Sequence, residues 1–167
     1  MSARLELDFI PQAYQAMRGL QSVVNESGLD HRLLQLIEVR ASQINGCAFC
    51  IAMHVTDARK LGEHDLRLHL VRAWREAPIF TARERAALAL TEAVTRIPDG
   101  EVPDSVYDAA RAQFSEAEMA ALVYGIVTIN SWNRLCITFR VPPNVPRELL
   151  GDRPVPANPS GAQHENT

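Results

Sequence analysis

Apolar positions along this chain recur every three to four residues, and no segment shows the strict alternation of a half-buried strand. Pro11 to Val24 predicts a first helix, closed by Ser27-Gly28. Asp30 is a side-chain cap for a second, in which Leu33, Leu34, Ile37, Ala41 and Ile44 form an apolar stripe. Gln35, Glu38 and Ser42 share another face of that helix. Asn45-Gly46 interrupts it, and a third helix is expected from about Cys47 to Leu61, with Gly62 as a left-handed stop. A short helical piece from Glu63 to Trp74 follows, and Pro78 breaks the pattern.

Thr81-Ala82-Arg83-Glu84 and Ser115-Glu116-Ala117-Glu118 each have the form of a capping box. They open expected helices over Ala82–Arg96 and Glu116–Leu135. Between them Pro98-Asp99-Gly100 is a turn, and Pro103-Asp104 leads into a shorter helix ending near Phe114. The run from Met119 to Ile129 is apolar on nearly every face, so it is buried at the centre of a domain or between subunits. Its alanines and Gly125 permit close approach, which points to a subunit interface. The whole reads as one all-α domain of six to eight helices over residues 1–150, followed by a flexible Pro- and Gly-containing tail over 151–167.

Composition narrows the partners. The chain has 167 residues, 47% of them hydrophobic, enough for one core without disulfide or metal staples. A net charge of −3 with dispersed basic residues leaves no electrostatic footprint for nucleic acid. The N-terminal segment carries acids early and has no apolar core of a secretory signal. Met119–Ile129 is too short to span a bilayer, so no membrane partner is expected. Three cysteines do not make a secreted disulfide framework, and a cytoplasmic location is expected.

In that setting a Cys-x-x-Cys is catalytic or metal-binding more often than structural. Cys47, Cys50 and His54 fall on adjacent turns of the third helix, beginning at its N-terminus. Unpaired N–H groups and the positive end of the helix dipole favour thiolate there. A histidine one turn after Cys50 can take its proton. Oxidation of one sulfur to sulfenic acid lets the other condense with it, and an external dithiol resets the pair. Zinc is the rival: Cys47, Cys50 and His54 supply three ligands, but a structural site takes four. Plain packing is the third reading. Cys136 sits among apolar neighbours and reads as a small hydrophobe in the core, while His31, His64 and His69 read as solvated.

The run Arg40-Ala41-Ser42-Gln43-Ile44-Asn45-Gly46-Cys47-Ala48-Phe49-Cys50 with Met53-His54 resembles the alkylhydroperoxidase D-like branch of the carboxymuconolactone decarboxylase family. The likeness continues through Thr56-Asp57-Ala58-Arg59, Trp74-Arg75-Glu76-Ala77-Pro78, Arg83-Glu84-Arg85-Ala86-Ala87-Leu88-Ala89 and Ile129-Asn130-Ser131-Trp132-Asn133-Arg134. The resemblance implies an all-α fold assembled as trimers or hexamers, and an antioxidant, peroxiredoxin-type peroxidase working through a redox-active disulfide. It implies no metal or organic cofactor, a hydroperoxide substrate, and a dithiol or thioredoxin-like reductant.

Carried onto this chain, the attacking thiol is Cys50, the resolving thiol Cys47, and the proton-relay histidine His54. Decarboxylases of the family generally lack the cysteine pair. The family's relay glutamate lies twelve residues before the first cysteine, where this chain has Gln35; Glu38, one turn later on the same face, is the candidate replacement. The alternative functions are a general thiol–disulfide oxidoreductase and a redox-sensing oligomeric module with little turnover.

Overall fold

Helix α2 (His31–Asn45) forms the centre of the protein: from Leu33 to Ser42 every residue but Gln35 is buried. A computed structural model describes residues 3–151, and all regular structure in that range is helical. Besides α2 it comprises α1 (Pro11–Asn25), α3 (Ala48–Lys60), α4 (Asp65–Leu70), α5 (Ala82–Thr95), α6 (Asp104–Arg111), α7 (Glu116–Phe139) and the single turn α8 (Arg147–Leu150). The all-α expectation and the predicted starts hold. Asp30 caps α2 by accepting from the Arg32 amide, and both capping boxes close reciprocally at Thr81/Glu84 and Ser115/Glu118. The tail expected over 151–167 lies, beyond Gly151, outside the described residues.

Most of the polar face predicted for α2 is buried. Glu38, Arg40 and Ser42 are buried because each has a partner inside the fold. Arg40 pairs with Glu92 of α5 at 2.6 Å, and Glu92 also accepts from the Trp74 indole at 3.0 Å and from Arg75 at 2.5 Å. Burial opposes ionisation of Glu92, but the donations from Arg75, Trp74 and Arg40 outweigh it and hold its carboxyl below the usual range.

Two apolar groups lie on either side of α2. One joins Leu33, Leu34 and Ile37 to Ala87, Leu90, Phe114, Leu122 and Ile126; the other joins Leu36 and Val39 to Ala58, Val71, Trp74, Phe80 and Leu88. Gly125 of α7 faces Val24, Leu34 and Ile37 of the same chain, so the close approach it permits is intramolecular. That answers the interface expectation for this residue: the small side of α7 packs inward, while Tyr124 and Val127 remain exposed. Helix α7 also runs one turn past its expected end, to a left-handed Arg140 (φ 56°), which places Cys136 on the helix.

Candidate active site

Gly46 is the hinge that builds the site. At φ 74° it ends α2 in the left-handed conformation that glycine adopts without strain, and the chain re-enters a helix two residues later. Cys47 becomes the N-cap of α3, and Cys50 occupies its first turn. The turn is clamped to α7. Asn45 Nδ2 donates to Asn130 Oδ1 at 2.9 Å and to Asn133 Oδ1 at 2.8 Å, while Asn133 Nδ2 donates to Ser42 Oγ at 3.0 Å.

The two sulfurs lie 2.8 Å apart, and the Cys50 amide donates to Cys47 Sγ at 3.4 Å. Both residues are 1% exposed, so neither thiol is the more open of the pair. Cys50, not Cys47, lines a cavity of about 200 Å³ together with Leu7, Phe49, Met53, His54, Trp132 and Cys136. Sequence spacing could not show this, because the cavity is closed from the far side by α1 and α7.

His54 is held from behind. Its Nδ1 lies 3.1 Å from Glu38 Oε2 and 2.9 Å from Gln35 Oε1. Both are acceptors, so Nδ1 carries a proton and Nε2 is left to exchange one. Glu38 Oε1 accepts from Gln21 of α1 at 3.1 Å, which fixes the carboxylate from its other side. Glu38 thus stands in contact with the imidazole, and Gln35 supplies a second acceptor to the same nitrogen. Burial works against a charged His54, but the charge and hydrogen bond of Glu38, with smaller help from Asp57 and Cys47, raise its pKa above the ordinary value.

Cys136 packs in the core but also belongs to the site. It is buried as expected, yet its sulfur lies within 4.8 Å of both Cys47 and Cys50. Hydrogen bonds from Cys136 and then Cys50, with the Cys50 amide and His54 assisting, bring the Cys47 thiol down to about 3 against its burial. A hydrogen bond from Cys136 lowers Cys50 too, but donation to Cys47, burial and the Cys47 charge overcome it and push Cys50 up to about 12. Cys136, donating to both sulfurs and buried, is pushed well above the thiol range. Of the three thiols, Cys47 is the one the site favours as thiolate.

The metal reading changes accordingly. Among the described residues the one cluster with ligand spacing is Cys47, Cys50 and Cys136, and His54 is not part of it. His64 instead accepts from the Leu66 amide at 3.1 Å, as the cap of α4.

Comparison with known proteins agrees with the fold. The profile of the carboxymuconolactone decarboxylase family matches residues 11–93. The chain is 40% identical over 138 residues to the uncharacterized protein YdfG of Bacillus subtilis, covering 82% of this chain and 94% of YdfG. A crystal structure of a protein of unknown function from Agrobacterium tumefaciens, put forward as an antioxidant defence protein AhpD, superposes with a TM-score of 0.84 at 40% identity. That match covers 87% of this chain and all of the other. An uncharacterized peroxidase-related protein from Silicibacter sp. TM1040 shares the fold at 23% identity, with a TM-score of 0.73 over 82% of this chain and 73% of its own.

Proposed function

The chain belongs to the alkylhydroperoxidase D-like branch of the carboxymuconolactone decarboxylase family, and on that premise we propose that it is a thiol-dependent peroxidase reducing small hydroperoxides through a Cys47–Cys50 disulfide. The observation that carries the proposal is a dithiol 2.8 Å apart whose Cys50 shares one cavity with a histidine held by a buried carboxylate. The decarboxylase reaction of the family name has no use for such a pair.

Cys50 meets the substrate, because it lines the cavity, but in the resting state it holds a proton. Attack proceeds from the minor tautomer in which the proton between the two sulfurs, 2.8 Å apart, sits on Cys47 and the charge on Cys50. The Cys50 thiolate attacks one peroxide oxygen and the O–O bond breaks. Sulfur gives two electrons and becomes sulfenic acid, and the leaving alkoxide takes a proton from His54 Nε2. Glu38 keeps that imidazole charged until the transfer. Cys47 then attacks the sulfenic sulfur, hydroxide leaves as water with the Cys47 proton, and the disulfide closes.

A dithiol completes the cycle by exchange. Near-complete burial of both sulfurs and a cavity of about 200 Å³ favour a small dithiol over a protein as that reductant, and disfavour a protein disulfide as the substrate. A cytoplasmic homo-oligomer, trimer or hexamer, belongs to the same reading. Exposed Tyr124 and Val127 on α7 give a second copy an apolar surface. Among the described residues no helix is long and apolar enough to cross a membrane.

Dithiol-supported consumption of hydrogen peroxide and cumene hydroperoxide tests the proposal. Wild-type protein turns over; Cys50→Ser does not, and Cys47→Ser, which cannot form the Cys47–Cys50 disulfide, turns over more slowly. Turnover that survives Cys50→Ser overturns the choice of attacking sulfur. Oxidation that changes oligomer size without turnover replaces the peroxidase by a redox sensor.

A further inference from the structure

We propose that Cys136 is a second resolving thiol, which captures oxidised Cys50 and forms a disulfide linking α3 to α7. This rests on the peroxide chemistry proposed for Cys50. It adds a residue that the Cys-x-x-Cys motif does not contain.

Three observations carry it. The Sγ atoms of Cys47, Cys50 and Cys136 all lie within 4.8 Å of one another, against the roughly 2 Å of a disulfide. Cys136 lines the same cavity as Cys50, whereas Cys47 does not, so the third sulfur is on the side where an oxidised Cys50 presents its oxygen. Cys136 is only 3% exposed, so its sulfur faces the other two rather than bulk solvent. A metal explains the cluster less well: three sulfurs fall short of the four ligands of structural zinc, and the Nδ1 of His54 is already taken by Glu38 and Gln35.

The chemistry balances in two ways. Directly, Cys50 sulfenic acid and the Cys136 thiol form an S–S bond, and hydroxide leaves as water with the Cys136 proton. By exchange, Cys136 sulfur attacks the Cys50 sulfur of the Cys47–Cys50 disulfide and expels Cys47, while the Cys136 proton is released to solvent. Cys47 is the better leaving group of the three because its thiolate is the one the site stabilises. Cys47 is also the faster direct resolver, since Cys136 begins as a thiol. Cys136 therefore serves when Cys47 is blocked or already oxidised, and spares Cys50 from irreversible oxidation to sulfinic acid.

The experiment compares reduced Cys47→Ser with Cys47→Ser/Cys136→Ser after one equivalent of hydrogen peroxide. Free thiols, intact mass, dimedone trapping and peptide mapping are read, with circular dichroism confirming the helical fold and Cys136→Ala as a second partner substitution. The single variant should lose two thiols per peroxide and yield a Cys50–Cys136 linked peptide. The double variant should lose one and trap about ten-fold more dimedone. Equal trapping in both, with no linked peptide, overturns the proposal. A parallel arm uses diamide, which joins neighbouring thiols without peroxide. A linked peptide in that arm with no reaction toward peroxide sustains the Cys136 capture and rejects the peroxidase; no linked peptide in either arm rejects the capture.

Discussion

Glu38→Gln is the sharpest perturbation of the site, because it removes a charge and almost nothing else. Glutamine has the shape of the carboxylate and can still meet the Gln21 donor and the His54 ring. What it lacks is the negative charge 3.1 Å from Nδ1. At the effective dielectric of such sites, opposite charges ~4 Å apart interact by about 4 kcal/mol. Burial, which already opposes the charged ring, then loses its largest counterweight, and the His54 pKa falls. Loss of a positioned general acid costs about 10² or more in rate. The assay is the pH profile of peroxide-driven oxidation, read beside the His54 ring signals by NMR. In the wild type the rate falls as pH rises through the raised His54 pKa. In Glu38→Gln the fall moves to lower pH, and the rate at pH 7 drops by about two orders of magnitude. An unchanged His54 titration and an unchanged rate refute the reasoning and remove Glu38 from the site. The same linkage has a stability counterpart. The contribution of the His54–Glu38 pair is fully present below the unfolded histidine pKa of about 6.5 and is lost as pH rises through the folded value.

Three further outcomes follow from the geometry. Because Cys47 is held at about 3, the thiolate absorbance near 240 nm should persist in the folded, reduced protein from neutral pH down toward that value, and Cys47→Ser should abolish it; a band that appears only above about pH 8 contradicts the assignment. Glu92→Ala strips Arg40, Arg75 and Trp74 of a shared acceptor and should cost about 3–5 kcal/mol in urea unfolding, since Arg40 is left charged and buried; a loss under 1 kcal/mol shows the network to be dispensable. Gly125→Ala places a Cβ 3.4–3.6 Å from Val24, Ile37 and Leu34, ordinary contact, and should stabilise α7 by about 0.5–1 kcal/mol in the same assay; destabilisation would show the helices to be packed more tightly than that.

Local signals in the sequence were enough for the helices, because capping chemistry is local: Asp30, Thr81 and Ser115 each announce a start within four residues. The Cys47-x-x-Cys50-x-x-x-His54 run was readable for the same reason, and Glu38 followed from being one turn from Gln35. What stayed hidden depends on contacts between elements. Gln21 lies on α1 and reaches Glu38 only in the folded chain. Asn133, Asn130 and Ser42 form a clamp between α2 and α7 that no spacing rule describes. Cys136 resembled core because it is core; its chemistry comes from two sulfurs contributed by the start of α3. The pattern gave Gln35, Glu38 and Ser42 a common face but not their partners, since amphipathic patterns do not tell water from a buried partner.

The central claim is that peroxide oxidises this dithiol because the site activates it. Stopped-flow mixing of the fully reduced protein with a hydroperoxide measures that directly, following loss of thiol and gain of the Cys47–Cys50 disulfide. The account predicts oxidation orders of magnitude faster than free cysteine at the same pH, ending in an intramolecular disulfide. A rate no faster than free cysteine contradicts it.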